Sequence, residues 1–133
     1  MEILVDSSVW IDFFNGVPSP PEVILHDLLE AEDPLCLSNI ILAETLQGFK
    51  EDRDFESAKS HLLTFPVYSL ATPEGYVRAA QLYRKCRKRG LTIRNTVDCL
   101  IAQTAIEHRL ILLHNDSDFD GIATVSDLRI LHP

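Results

Sequence analysis

Short apolar runs alternate with longer, capped helical segments along this chain, and that alternation restricts the fold more than any other feature. Residues 2–5, 34–37, 67–70, 110–114 and 128–131 read as strands, short, apolar and bounded by turn-forming residues. Between them lie helical stretches. Ser7 or Ser8 caps one that runs through Trp10 and Phe14 and stops at Asn15-Gly16. Pro21 suits the first turn of the next, which reaches about Glu32 with Val23, Ile24, Leu28 and Leu29 on its core face. Ser38 or Asn39 caps a third that continues past Leu46, and a polar helix spans about Asp52 to Leu63. Thr72-Pro73-Glu74 opens a helix that stops at Gly90, and Asn95 or Thr96 caps another over Val97 to His108. Asn115 to Gly121 is a polar turn or short helix. Strands alternating with helices predict an α/β fold, a parallel β-sheet flanked by α-helices on both faces.

At 133 residues the chain suits a single domain, 1–133, with a core that needs neither disulfides nor structural metal. With 46% apolar and 24% charged residues, its composition is that of an ordinary globular protein. No apolar run approaches the ~20 residues that span a bilayer, so no membrane association is expected. Acidic Glu2 leads directly into a strand, which does not resemble a signal peptide. Cys36, Cys86 and Cys99 lack metal-ligand spacing and read as reduced packing residues of a cytoplasmic protein.

The formal net charge of −8 argues, taken alone, against a polyanionic partner. Its distribution argues otherwise. Six of the 12 Lys and Arg residues fall in one stretch: Arg84, Lys85, Arg87, Lys88, Arg89 and Arg94. Such a run is either a solvated helix face or a guide for a phosphate chain. The segment from Glu22 to Asp33 holds acids and no Lys or Arg, and is expected to face away from a polyanion.

Four acids stand where an apolar segment ends or a helix begins. Asp6 closes Ile3-Leu4-Val5, Glu44 interrupts Ile40-Ile41-Leu42-Ala43, Asp98 precedes Cys99-Leu100-Ile101, and Asp116 follows Leu110 to Leu113 after two polar residues. A carboxylate beside a core element is costly unless paired, solvated or bound to a cation. Each has an ordinary explanation alone: a helix cap for Asp6, a dipole complement for Asp98, a turn for Asp116. Glu44 has no base within a turn. In a parallel sheet all four arrive at the carboxyl edge of the strands, where such folds bind ligands. A carboxylate-only set favours Mg²⁺ or Mn²⁺ over Zn²⁺, and the five histidines form no transition-metal pattern. Asp118 is a further ligand or an exposed acid, and Asp12 and Asp120 read as surface and turn. Ser8 either caps a helix or reaches a metal-bound water, and Thr96 as a helix cap and Asn95 as a loop residue are each alternatively contacts to a substrate phosphate.

Ile3 to Ile11, with its Val5-Asp6-Ser7-Ser8 centre, resembles the opening of PIN-domain ribonucleases of the VapC toxin type. Leu42-Ala43-Glu44, Thr96-Val97-Asp98-Cys99-Leu100-Ile101-Ala102 and Leu113-His114-Asn115-Asp116-Ser117-Asp118-Phe119 resemble that family's further acidic motifs, in order and over nearly the full chain. One departure is His114-Asn115, where many members carry Thr or Ser followed by Arg. The resemblance implies Asp6, Glu44, Asp98 and Asp116 as catalytic and metal-binding acids, with Asp118 auxiliary. It also implies an RNA substrate, a homodimer and an antitoxin partner. The expected activity is a Mg²⁺- or Mn²⁺-dependent endoribonuclease that cuts RNA by metal-activated water. Ser8, Lys85, Lys88, Arg94, Thr96 and Asn115 are the expected substrate contacts.

The alternative on the same fold is a non-catalytic RNA-binding or assembly module. A phosphotransfer receiver needs a Lys after a late strand, and the last Lys here is Lys88.

Overall fold

The computed structural model describes residues 1–132 of the chain. Its five strands are β1 (Ile3–Val5), β2 (Leu35–Ser38), β3 (Val67–Tyr68), β4 (Ile111–Leu113) and β5 (Arg129–Ile130). They form one sheet in the order β3-β2-β1-β4-β5, and every pairing is parallel. The helices are α1 (Ser7–Asn15), α2 (Pro20–Glu30), α3 (Asn39–Leu46), α4 (Asp52–Leu62), α5 (Pro73–Lys88), α6 (Val97–Glu107) and α7 (Ser117–Thr124). This is the α/β architecture expected from the alternation. The central strand β1 is buried along its whole length, as are Leu35 to Leu37 and Leu112-Leu113, because helices cover both faces of the sheet.

The order of the strands places the site. From β1 the chain crosses to β2 on one side, and β4 later takes the opposite side, with Leu4 opposite both Cys36 and Leu112. The chain therefore diverges between β1 and β4, and the crevice at their carboxyl ends is the place where open parallel sheets hold ligands. Asp6 and His114 follow directly on the paired residues Val5 and Leu113 at this crevice.

Local chemistry fixes how each helix leaves that edge. Asp6 caps α1, its side chain accepting from the Ser8 amide at 3.1 Å, so of the two readings of this helix start the cap is Asp6 rather than Ser7 or Ser8. Trp10 anchors α1, fully buried between Phe13, Phe14, His61 and Phe65 with ring centroids 5.7–6.1 Å away. Ser38 caps α3 through the Ile41 amide at 3.1 Å and is itself fully buried. On α2 the core face is turned from the one expected: Pro21 and Leu25 are buried, whereas Val23 is 49% exposed. Ser19 caps this helix and Glu22 is buried against the His26 imidazole at 2.7 Å, which rotates Val23 outward.

Helix α5 returns antiparallel to α6. Gly75, at its start, leaves so little room that a Cβ there would lie 2.9 Å from the Glu107 carboxylate and 3.2 Å from Leu70. Arg78 Nη1 also reaches Glu107, at 3.6 Å. The start of α5 therefore meets the end of α6, and the basic end of α5 lies at the end of α6 that begins with Asp98. All three cysteines are buried and unpaired, and burial pushes the Cys36 thiol up to about 12. Among the described residues no helix is long and apolar enough to cross a membrane.

The Ser38 cap carries a prediction. Ser38→Ala leaves the buried Ile41 amide without its acceptor and is expected to lower the unfolding free energy by about 1–2 kcal/mol. Urea denaturation with an unchanged m-value checks this, and an unaltered midpoint would mean that the cap does not hold α3.

Candidate metal centre

Four segments bring five carboxylates to the β1–β4 crevice. Asp6 ends β1, Glu44 lies on α3, Asp98 is in the first turn of α6, and Asp116 and Asp118 open α7. Oxygens of Asp98, Asp116 and Asp118 all lie within 4.8 Å of one another. Asp6 and Glu44 sit close enough for their charges to be felt. Burial pushes the Asp98 carboxyl up to about 7, and the charges of Asp116, Asp6, Asp118 and Glu44 add to it in that order. Burial likewise raises Glu44, partly offset by its hydrogen bond from Ser7, with Asp6 and Asp116 adding to the rise. Asp6 is raised by burial against the opposing hydrogen bonds of Ser8, and Asp116 adds a repulsive charge.

The two oxygens of Asp6 have different fates. Oδ2 accepts from the Ser8 hydroxyl at 2.6 Å and from the Ser8 amide. Oδ1 is buried and, among the described residues, has no hydrogen-bond partner. An unpartnered carboxylate oxygen in the interior is expensive, and a cation removes that cost. Asp98, Asp116 and Asp118 are the acids whose oxygens share the 4.8 Å group, with Asp6 and Glu44 outside it; those oxygens and the orphaned Asp6 oxygen have the chemistry a hard divalent ion takes. The imidazole at the cluster, His114, has both ring nitrogens engaged elsewhere: Nδ1 accepts from the Asp116 amide at 3.0 Å and Nε2 meets Asp120 at 3.2 Å. The Glu44 partner invisible in the local sequence is the Ser7 hydroxyl, which donates to Oε1 at 3.0 Å.

Several expected substrate contacts have partners within the chain. The Ser8 hydroxyl accepts from the Asn115 amide at 2.9 Å while donating to Asp6. The Asn115 side chain donates to Asp12 Oδ2 at 2.9 Å, and Ser19 donates to the same oxygen at 2.8 Å. Asp12, expected from the sequence to be a surface residue, is thus the half-buried hub that ties α1, the start of α2 and the β4–α7 loop together. Its partners are 7 and 103 residues away, so no local pattern announces it; the Ser19-Pro20-Pro21 helix start is the one local hint. Thr96 is exposed and makes no capping bond, because Asn95 takes the Val97 amide at 2.9 Å.

The basic residues divide. Arg94 lies at the acids: Nη2 donates to Asp116 Oδ2 at 2.7 Å and Nε to Asp118 Oδ2 at 3.1 Å, with the side chain 67% exposed. Lys85 faces a different cleft, lined also by Gln103, Ile106, Val125 and Asp127, ~10 Å along α6 from Asp98 by helix rise. Lys88 is exposed on the last turn of α5, at the edge that holds Asp98.

The raised Asp98 carboxyl makes stability depend on pH with a definite sign. The native group holds its proton to about pH 7, whereas the unfolded one releases it near 3.8. Between those values the native state binds more protons, so stability falls as pH rises. In EDTA the thermal midpoint is expected to decline from pH 4 to pH 7, and Asp98→Asn is expected to flatten part of that decline. An unchanged slope in the variant would contradict this placement of Asp98.

Comparison with known proteins places the chain in a family. The PIN domain family model matches residues 3–125. The VapC ribonuclease Mb1587 of Mycobacterium bovis is 32% identical over 128 residues, covering 96% of each chain, and ribonuclease VapC11 of Mycobacterium tuberculosis is similar to the same extent. Among solved structures, the DNA-bound VapBC from Salmonella typhimurium superposes with a TM-score of 0.78 at 20% identity, covering 98% of this chain and 97% of the other. A toxin–antitoxin complex from Klebsiella pneumoniae gives 0.72 at 25% identity, with the same coverage. With the family model matched across nearly its whole length, the chain belongs to the PIN domain family, alongside the VapC ribonucleases.

Proposed function

We propose that this protein is a divalent-metal-dependent endoribonuclease and the toxin of a toxin–antitoxin pair, with Mg²⁺ or Mn²⁺ as its ion. The observation that carries the reading is the gathering of Asp6, Glu44, Asp98, Asp116 and Asp118 at the strand divergence, with a buried Asp6 oxygen lacking any partner. The ribonuclease names of its relatives support the reaction class. The toxin–antitoxin complexes among its structural relatives support an antitoxin protein as partner. A toxin acting on cellular RNA works in the cytoplasm.

Asp98, Asp116 and Asp118 would hold the ion, together with the free Oδ1 of Asp6. When bound, such an ion supplies Lewis acidity, making water a better nucleophile at neutral pH and offsetting charge on phosphoryl oxygens. The chain's own groups do the rest. Glu44 has Oε1 occupied by Ser7 and Oε2 available; its raised proton affinity brings it nearer to working pH as acceptor of the water proton. Arg94, on the exposed rim, offers guanidinium donors to the scissile phosphate. The basic end of α5 positions the RNA backbone through phosphate contacts, which carry no sequence information.

Asp6→Asn and Asp98→Asn are each expected to reduce metal-dependent RNA cleavage by at least a hundredfold while leaving a cooperative fold. A folded Asp6→Asn variant with full activity would remove Asp6 from the site, and a wild-type protein that binds RNA without cutting it would favour the assembly module.

The two lysines separate by position. Lys88→Glu is expected to weaken binding of an uncleavable single-stranded RNA and to reduce its salt slope by about 0.7 for each phosphate no longer neutralised. Lys85→Glu, on the other cleft, is expected to do less. Equal effects in salt titrations would mean that the RNA path runs along the whole of α5.

A further inference from the structure

His114 makes a contact that its sequence neighbourhood does not advertise. Its Nδ1 accepts the backbone N–H of Asp116, two residues on, at 3.0 Å. Asn, Asp, Ser and Thr commonly close such turns onto the amide two residues ahead. Here an imidazole does so. A nitrogen that accepts an N–H carries no proton, so the ring proton belongs on Nε2, where it donates to Asp120 Oδ1 at 3.2 Å. The ring is held on its remaining side by Phe119, fully buried, with ring centroids 5.2 Å apart. Only 8% of the His114 side chain is exposed, although the next residue, Asn115, is exposed.

What the contact orients is the Asp116 carboxylate. Asp116 sits in extended backbone, φ −145° and ψ 116°, between β4 and α7. Its amide is tied back to His114, and its Oδ1 is tied forward to the Asp118 amide at 3.0 Å. Two consecutive turns of the same kind thus run His114 to Asp116 to Asp118. With amide and Oδ1 both fixed, Oδ2 is directed toward Arg94, and the carboxylate is held in the group it forms with Asp98 and Asp118. From this geometry we infer that His114 is a positioning residue: its bare Nδ1 fixes the backbone turn that aims Asp116, and Asp120 holds the ring in the one tautomer that can do so. The inference rests on the proposed metal site and names what sets its fourth acidic position. Groups that orient metal ligands typically contribute about 10–100-fold to affinity, which sets the expected scale.

The test uses the full-length protein and three variants. His114→Phe keeps a ring against Phe119 and removes the acceptor. His114→Asn restores an acceptor for the amide two residues on. Asp120→Ala frees the tautomer. Each is checked for a cooperative thermal transition in EDTA. Mn²⁺ affinity is then measured calorimetrically without RNA, kcat and KM on a cleavable RNA, and the ring ¹⁵N shifts of His114 by NMR in the wild type and in Asp120→Ala. Folded His114→Phe is expected to bind Mn²⁺ at least tenfold more weakly and to lose kcat with little change in KM. His114→Asn is expected to recover most of both. The wild-type ring is expected to show an unprotonated Nδ1 and a protonated Nε2, a preference reduced in Asp120→Ala. Wild-type Mn²⁺ affinity in folded His114→Phe, or a His114→Asn no better than His114→Phe, overturns the positioning role, as does a proton on Nδ1. A wild-type protein that binds Mn²⁺ yet cuts no RNA would instead overturn the endoribonuclease reading, and the affinity and ring-shift results would still decide the role of His114.

Discussion

Asp6 is buried at the end of the central strand with one oxygen satisfied and the other not, and much of the surrounding structure answers to that single charge. Its Oδ2 is spent on the first turn of α1 and on Ser8, which couples the direction of the helix to the position of the carboxylate. The neighbouring loop then locks Ser8 in turn, through the Asn115 amide, while the Asn115 side chain reaches Asp12. Among the described residues, the network leaves Oδ1 with nothing to accept from. A carboxylate in that position stabilises the fold only in company with positive charge.

The other acids intensify the demand rather than relieve it. Asp98 is held up to about 7 first by burial and then by four like charges, and Glu44 is raised in the same sense. Among the described residues, Arg94 is the one Lys or Arg side chain that pairs with these carboxylates, and it grips only the outer two, Asp116 and Asp118. A parallel sheet that diverges between β1 and β4 delivers these groups from distant segments to one point, so the repulsion is built into the topology. Helix and strand packing supplies the stability that tolerates it: Trp10 pins α1 within an aromatic cluster, and Ser38 fixes the start of the helix that carries Glu44.

Most of the architecture is legible in the sequence because its signals are local. Strand-length apolar runs, Asn15-Gly16, Pro21, Thr72-Pro73 and Gly90 each mark a boundary through the conformations those residues allow, and the acids at the ends of the runs mark the crevice. What escapes is what depends on long-range geometry. Periodicity puts Val23 on the core face of α2, but the cap at Ser19 and the buried Glu22 turn it to solvent. The basic run from Arg84 to Arg94 reads as one patch in the sequence; on the helix, Lys85 looks into a cleft by Asp127, while Arg94 folds onto acids 22 and 24 residues away. The same limit hides Asp12 as a hub and Ser7 as the partner of Glu44. Single polar residues announce their chemistry only when the partner is close in the chain.

The central claim is that these carboxylates form one cation site at the β1–β4 crevice. Its most direct test is a crystal of the wild-type protein soaked in Mn²⁺, with the ion located by its anomalous scattering. The account predicts a peak contacting Asp98 and Asp116, with Asp6 Oδ1 and Asp118 around it and the Arg94 guanidinium moved off the acid it would otherwise share. A well-ordered crevice with no peak at saturating Mn²⁺, or a peak at acids elsewhere on the surface, would contradict it.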